Sequence, residues 1–378
     1  MSDLAAYLDA HRDEILADLR SLVEQESPST EKARLDEVAR YLAELAERRT
    51  GGAATVLPQE QAGDHVRLTW GSGDGPGVFL SGHFDTVWPL GTLAAMPFEI
   101  ADGCAQGPGV FDMKAGLVQG LWALGALAAT GSAAPPVTFL LTSDEETGSL
   151  TSRRLIEEEA RKASVSMVLE PSFQGALKTS RKGTGDYHLA VTGRASHAGS
   201  EPFAGISAVD EICRLALAVH AETNPATGTT LNVGVIEGGT RANVVAAHAG
   251  ADVDVRVTTM AEAERLDAFF RGLRPRHPEA VLEVTGGLNR PPMERTSRVA
   301  ELFAYAQRTA AELGLQLDEA SVGGGSDGNF CAAVNPAVLD GLGAVGDGAH
   351  AASEHVVIAE LAPRTALLAH LLTGLARG

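Results

Sequence analysis

Three apolar, strand-like stretches of this 378-residue chain each run into acidic or imidazole side chains, and this feature constrains the fold most. The clearest is Val78–Val87, which reads Val-Phe-Leu-Ser-Gly-His-Phe-Asp-Thr-Val after Gly-Pro-Gly. A short apolar run bounded by glycine and proline is typical of a buried strand. His83 and Asp85 are costly to bury unless they are paired or bind a metal, and in an extended chain they project from the same face. Taken alone, this stretch is explained without a metal, by a hydrogen-bonded histidine at a strand end.

The other two stretches repeat the pattern. The acidic residues concerned are Asp144, Glu145 and Glu146 after Val137–Thr142, Glu170 after Val165–Leu169, and Asp112 just before a helix predicted at 114–129. Considered one at a time, Glu145 and Glu146 are typical of a solvated loop, Glu170 of the end of a strand and Asp112 of a helix cap. However, the carboxyl ends of parallel strands meet at one edge of a sheet, where ligands bind. Carboxylates gathered there repel one another unless a multivalent cation neutralises them. We therefore predict two divalent metal ions, zinc first, with cobalt or manganese as alternatives.

Strands alternate with helices through most of the chain, which indicates an α/β fold with a mostly parallel sheet. One opening helix is expected over Leu4–Leu22. After Lys178 the pattern changes to β-α-β-β-α-β, which is typical of a small α+β domain, and the α/β pattern returns after Pro291-Pro292. We predict a catalytic domain from residues 1–178 and 292–378 and an inserted domain from 179–291.

Charge and composition exclude several classes of protein. The formal net charge is −19, which argues against a nucleic-acid or anionic-membrane surface because either needs a basic patch. Cys104, Cys213 and Cys331 form no Cys-x-x-Cys pair, so neither a disulfide framework nor a thiolate zinc site is indicated. The N-terminal residues do not resemble a signal peptide, and no stretch is long and apolar enough to span a membrane. We expect a cytoplasmic protein.

Seven segments, taken in order, resemble the motifs of the M20 family of co-catalytic metallopeptidases, and among these its glutamate carboxypeptidases. The segments are Ser81-Gly-His-Phe-Asp-Thr-Val, Gly107-Pro-Gly-Val-Phe-Asp-Met-Lys-Ala-Gly, Ser143-Asp-Glu-Glu-Thr-Gly-Ser, Glu170-Pro, Gly193-Arg-Ala-Ser-His-Ala-Gly, Gly323-Gly-Gly-Ser-Asp and Gly348-Ala-His-Ala-Ala-Ser-Glu-His-Val. The resemblance implies a zinc-peptidase-like catalytic domain with an inserted lid and dimerisation domain.

The resemblance also implies roles for individual residues. His83 and Glu170 would hold one metal, Glu146 and His350 the other, and Asp112 would bridge both. Asp85 would hydrogen-bond His83 and so fix its tautomer. Glu145 would be the general base acting on a metal-bridging water. A cis peptide bond would follow Asp112. Glu354, four residues after His350, has two open interpretations, as a residue that orients the His350 loop or as an exposed residue.

For the inserted domain, the resemblance implies substrate contacts and a homodimer. His197 would reach a neighbouring subunit's active site and stabilise the oxyanion, and Asn243 and Arg290 would bind the substrate carboxylate. Arg256 is a further substrate-binding candidate, with a structural ion pair within the sheet as its alternative role. A glutamate side chain would be recognised by Lys178, but Arg181 and Lys182 stay open as alternatives, because the spacing to His197 is two residues shorter than in the glutamate enzymes.

The resulting expectation is a di-metal hydrolase that cleaves the amide bond to a C-terminal amino acid, with glutamate favoured, in peptidyl or N-acyl substrates. The first alternative is an aminoacylase or deacetylase of the same fold that acts on other N-acyl amino acids. A non-catalytic descendant that binds metals or peptides is a further alternative, which the presence of Glu145 beside all five ligands disfavours.

Overall fold

The computed structural model describes residues 3–73 and 75–376, which divide into two compact units. The first unit contains the described residues up to Ser180, Arg295–Ser321 and those from Ser326 onward, and the second contains Arg181–Glu294 with Val322–Gly325. The helices are α1 Asp3–Ala10, α2 Arg12–Val23, α3 Lys32–Thr50, α4 Ala115–Thr130, α5 Arg153–Lys162, α6 Ala208–His220, α7 Met260–Gly272, α8 Ser297–Glu312, α9 Asp327–Val334 and α10 Ile358–Leu375. The strands are β1 Ala53–Leu57, β2 His65–Trp70, β3 Val78–His83, β4 Glu99–Ala101, β5 Cys104–Gln106, β6 Val137–Thr142, β7 Val165–Val168, β8 Leu177–Arg181, β9 Gly183–Thr192, β10 Thr230–Gly238, β11 His248–Val257, β12 Val281–Arg290, β13 Glu319–Val322, β14 Val338–Leu339, β15 Gly346–Asp347 and β16 His355–Val357.

The main sheet of the first unit has the order β1-β2-β6-β3-β7-β14. Strands β6, β3, β7 and β14 are parallel, whereas β1 and β2 pair antiparallel at one side. Strand β3 is buried along its whole length, as its apolar sequence predicts for a parallel strand covered on both faces. The predicted α/β class with a mostly parallel sheet is confirmed.

Helices cover this sheet because their apolar faces need burial. Helix α4 is apolar all round and is buried from Ala115 to Leu127, which is the property of a helix inside a core. It ends at Gly131, whose φ of 63° is left-handed, and α3 ends in the same way at Gly51 with φ 68°. Glycine takes this conformation without a steric penalty.

The second unit contains an antiparallel sheet of order β10-β11-β9-β12. Its elements follow one another as β9-α6-β10-β11-α7-β12, in agreement with the β-α-β-β-α-β order expected from the sequence. Buried side chains alternate along β9 and pack with those of α6 and α7 in a separate core. Alternation of this kind leaves one sheet face covered by helices and the other polar.

Two of the differences between the structure and the sequence-based expectation lie at the N-terminus and in one small sheet. The expected opening helix is divided at His11 into α1 and α2, and the His11 ring is hydrogen-bonded through Nδ1 to the Tyr7 carbonyl at 2.7 Å. A sheet of order β15-β16-β5-β4 was not predicted, since strands of two or three residues have too little periodicity to be recognised.

Candidate metal centre

Strands β6, β3 and β7 are neighbours in the main sheet and run parallel, so their carboxyl ends share one edge. His83 ends β3, Glu145 and Glu146 follow β6, and Glu170 follows β7. The strand order therefore brings to one place the side chains that the sequence had placed after separate strands. Ligand sites of open α/β sheets lie at this edge.

Two groups of potential metal ligands lie there, and each has donor atoms within 4.8 Å of one another. The first contains His83, Asp112 and Glu170. His83 Nε2 lies 3.2 Å from Asp112 Oδ1 and 3.6 Å from Glu170 Oε1. All three side chains are largely buried, with exposed fractions of 1%, 17% and 9%.

The second group contains Asp112, Glu146 and His350. His350 Nε2 lies 3.1 Å from Glu146 Oε1 and 3.4 Å from Asp112 Oδ2. The two oxygens of Asp112 thus face different groups, Oδ1 towards His83 and Oδ2 towards His350. A carboxylate in this position has the geometry to bridge two ions.

The donor set suits divalent metals with mixed nitrogen and oxygen ligands. Atoms about 2.0–2.2 Å from a tetrahedral ion lie roughly 3.3–3.6 Å apart, and the distances within the two groups are close to this range. Imidazole and carboxylate together suit zinc, cobalt and manganese. Three protein donors per ion would leave a coordination position for water or substrate, as catalytic sites require.

Asp85 contacts residues of both donor groups. His83 Nδ1 lies 3.0 Å from the Asp85 carbonyl and 3.3 Å from Oδ1, so the proton of the neutral ring is held on Nδ1 and Nε2 faces the donor group. The Asp85 carboxylate also accepts hydrogen bonds from the backbone N–H groups of Glu145 and Glu146, both at 3.2 Å, and from Ser29 Oγ at 2.8 Å. One fully buried carboxylate therefore positions a potential metal ligand of each group.

The carboxylates of the two groups shift the pKa values of the two histidines. Hydrogen bonds to Asp112 and Glu146 raise the pKa of His350 to about 10. Burial lowers the pKa of His83, but its hydrogen bonds with Asp112, Asp85 and Glu170 outweigh this effect and raise it well above the usual value. Burial raises the pKa of Glu146. The pKa values of the imidazoles are raised because the rings lie among carboxylates, which is also the environment that attracts metal cations.

Glu145 lies on the short turn Glu145–Thr147 next to Glu146 and is half-buried. It belongs to neither donor group. The Asp85 carboxylate accepts the first two backbone N–H groups of this turn. Two residues after the turn, the Ser149 hydroxyl donates to Asp327 Oδ1 at 2.5 Å. Glu145 therefore lies beside the potential metal ligands without belonging to either group, and this position suits a carboxylate that transfers protons.

The remaining candidates from the inserted segment lie in the second unit. His197 is exposed, and its Nδ1 accepts the N–H groups of Gly199 at 3.1 Å and Ser200 at 3.0 Å, so the neutral ring carries its proton on Nε2. Asn243 is exposed on the adjacent loop, where its carbonyl accepts Ala198 N–H at 3.0 Å. Arg290 is buried at the end of β12, opposite Thr184. Arg256 donates to both carboxylate oxygens of Asp254, which corresponds to the structural ion pair considered as its alternative role.

A cavity of about 160 Å³ opens beside the first donor group. Its lining includes Asp112, Glu170 and Lys178, together with Phe111 and Phe173. Lys178 Nζ lies 3.9 Å from Glu170 Oε2, and the lysine side chain is 11% exposed. Of the other two candidates for substrate recognition, Arg181 donates to the carbonyls of Gly324 and Gly325 at 3.2 and 3.3 Å, and Lys182 is half-buried.

Two further residues support the site, and the sequence analysis did not identify the first of them, Asp327. Asp327 is buried and accepts a hydrogen bond from Thr142 at the end of β6, at 3.2 Å, as well as that of Ser149. For Glu354 the sequence left open whether it orients the His350 loop or is exposed, and in the structure it is fully buried. Both lie within segments that resemble family motifs, and this was the available signal. The expected cis peptide bond between Asp112 and Met113 is present.

Comparison with known proteins decides the family. The model of peptidase family M20/M25/M40 matches residues 79–374. The chain belongs to this family. Carboxypeptidase G2 from a Pseudomonas species is 32% identical over 317 residues, which cover 80% of this chain and 75% of that protein. Succinyl-diaminopimelate desuccinylase from Leptothrix cholodnii is 29% identical over 338 residues, which cover 82% of this chain and 86% of that enzyme.

The fold of this M20 peptidase is shared with solved structures. Aminopeptidase PepT from Bacillus cereus superposes with a TM-score of 0.79 at 22% identity, over 97% of this chain and 99% of that one. As an M20-type metallopeptidase or amidohydrolase, the protein is a metal-dependent hydrolase. Within the described part of the chain, none of the helices has the length and apolar character needed to cross a membrane.

Proposed function

We propose that the protein cleaves the amide bond to a C-terminal amino acid with a free carboxylate, glutamate being favoured, in peptidyl or N-acyl substrates. The observation that carries this proposal is the pair of donor groups that share Asp112 beside a cavity containing Lys178. The similarity to carboxypeptidase G2 supports it. We assign His83, Glu170 and Asp112 to one ion and Asp112, Glu146 and His350 to the other, with zinc as the first choice and cobalt or manganese as alternatives.

Two bound ions would lower the pKa of a shared water and polarise the scissile carbonyl. We assign Glu145 as the general base that accepts the proton of the attacking water and returns it to the leaving amine. Asp85 would keep His83 in the tautomer that presents Nε2, through the contacts of its carbonyl and carboxylate with Nδ1. His197, whose Nε2 carries the proton in the neutral ring, suits a donor to an oxyanion.

The second unit is assigned as the lid and dimerisation domain, and the first as the catalytic domain, in keeping with the family resemblance. Under this assignment the protein is a homodimer and His197 acts in the neighbouring subunit. Asn243 and Arg290 would bind the α-carboxylate of the substrate, for which the planar guanidinium of arginine is well suited.

A second candidate function is hydrolysis of other N-acyl amino acids, because a desuccinylase resembles the chain over most of its length. Hydrolysis of a panel of N-acyl glutamate, glutamine, leucine and lysine, with metal content measured on the same sample, separates the candidates. We expect kcat/KM for glutamate to exceed that for glutamine by about 10–100-fold, since a hydrogen bond to a charged group contributes about 1.5–3 kcal/mol. A preference for neutral or basic side chains would favour the second candidate, and a metal-loaded protein that hydrolyses nothing would favour a non-catalytic descendant.

We expect Lys178→Met to remove this preference. Lys178 is the cation that lines the cavity beside Asp112 and Glu170, and methionine keeps much of its length without the charge. The ratio of kcat/KM for glutamate to that for glutamine should fall to about one, mainly through a higher KM for glutamate, while metal content stays constant.

Arg181→Met and Lys182→Met are the matched controls, because both were candidates for the same role. If either of them, rather than Lys178→Met, abolished the preference, the assignment would be wrong. An equal loss on both substrates in Lys178→Met would show that the lysine acts through Glu170, which lies 3.9 Å away.

A further inference from the structure

Glu354 has no exposed surface and accepts hydrogen bonds from four N–H groups. Its Oε1 accepts the backbone N–H groups of Phe111 at 2.9 Å and Asp112 at 3.0 Å. Its Oε2 accepts the backbone N–H of Gly109 at 2.9 Å and the indole Nε1–H of Trp88 at 2.8 Å. An ionised carboxylate only accepts hydrogen bonds, so it matches four surrounding donors. Three of these donors belong to the turn that carries Asp112.

The same residue is attached to the loop that carries His350. Glu354 N–H donates to the Ala351 carbonyl at 2.9 Å, and Ala351 N–H donates to the Gly348 carbonyl at 2.9 Å, so the segment 348–354 is a compact loop. Strand β16 begins directly after Glu354 and pairs with β5, which ends directly before the Asp112 turn. The two loops therefore leave adjacent strands, and the Glu354 side chain connects them beyond the strand ends.

We infer that Glu354 is a positioning residue that fixes the separation of Asp112 and His350, and through it the affinity for the metal ion of the second donor group. This inference rests on the proposed function, which assigns these residues as ligands. His350 Nε2 and Asp112 Oδ2 are 3.4 Å apart, and both depend on the loops that Glu354 joins. In the first group, His83 instead ends β3 and Glu170 follows β7, and these two strands pair directly in the main sheet.

Glu354→Gln tests this role with almost no change of shape. The amide has one acceptor oxygen and one NH₂ group, so in either orientation the NH₂ group faces two N–H donors. We expect the affinity of one of the two ions to fall about 10–100-fold, the range found when a residue that orients a ligand is replaced. The affinity of the other ion should fall much less. Competition of Zn²⁺ with a chromophoric chelator measures the two dissociation constants without any substrate.

Glu211→Gln is the matched control. Glu211 is a buried carboxylate of the second unit that accepts the backbone N–H groups of Arg276 at 2.7 Å and His277 at 2.8 Å. Its replacement should lower the thermal stability, as the loss of any buried acceptor does, but should leave both zinc affinities unchanged. A purely structural role of Glu354 would give the same result in Glu354→Gln.

Trp88→Phe added to Glu354→Gln supplies a rescue. The second substitution removes one of the two donors that the new NH₂ group would face on the Oε2 side. Part of the lost affinity for the more weakly bound ion should therefore return. In a double-mutant cycle this return is a non-additive effect. Should Glu354→Gln not fold, Glu354→Asp retains the charge but is too short to hold both loops, and the same selective loss is expected.

Unchanged affinities for both ions, an equal loss of both, or the same loss in Glu211→Gln would overturn the inference. Wild-type protein that binds no zinc at all would instead contradict the proposed function. The two failures are therefore distinguishable.

Discussion

Replacement of Glu145 by glutamine is expected to lower kcat by about 10²–10⁴-fold while both metal ions stay bound. Glu145 belongs to neither donor group, so the substitution removes a proton acceptor and no ligand. Glutamine preserves the size of the side chain, and the backbone N–H groups of the turn remain bound to Asp85. Steady-state kinetics and metal analysis of one preparation measure both quantities.

Glu146→Gln is the natural control, because it changes the adjacent residue by the same chemistry. Glu146 Oε1 is 3.1 Å from His350 Nε2 within the second donor group, so this variant should lose metal as well as turnover. Wild-type turnover in Glu145→Gln, or loss of metal from it, would remove Glu145 from the role of general base.

Asp112→Ala is expected to have the largest effect on metal content and activity together. Asp112 is the one residue shared by the two donor groups, and each of its oxygens faces a different histidine. Under the proposed assignment its removal would weaken the binding of both ions, which together would supply several kcal/mol of transition-state stabilisation. We expect kcat/KM below about one-thousandth of the wild-type value, since each 1.4 kcal/mol corresponds to a factor of ten.

Metal analysis after dialysis and kinetics with added zinc measure the two effects. Asp13→Ala, which removes an exposed carboxylate from α2, controls for the change in net charge. A full complement of two ions in Asp112→Ala would contradict the bridging role.

Much of the first unit could be predicted because its signals are local. The apolar runs at β3, β6 and β7 are long enough to be recognised, and the acidic residues after them are adjacent in sequence. The order of these strands in the sheet is a tertiary property. It follows from the sequence only through the general rule that parallel strands of an α/β fold present their carboxyl ends together.

The supporting contacts could not be predicted because they join distant parts of the chain. Glu354 lies 242 residues from Asp112 in sequence, and the strands that bring them together, β5 and β16, are three residues long. Asp327 likewise reaches Ser149 across 178 residues. The burial of a polar residue depends on such partners, whereas hydrophobic periodicity reports only the faces of helices and strands.

Under the proposed function, hydrolysis and choice of substrate depend on partly different stretches of the first unit. The metal and proton-transfer candidates lie at the ends of β3 and β6 (His83, Asp85, Glu145 and Glu146), whereas the wall of the cavity includes Pro171–Gln174 and Lys178. Glu170 and Asp112 belong to the donor groups and also line the cavity. A few substitutions in the short loop after β7, arising in evolution or made by design, would therefore change the substrate preference and leave the residues proposed for hydrolysis unchanged.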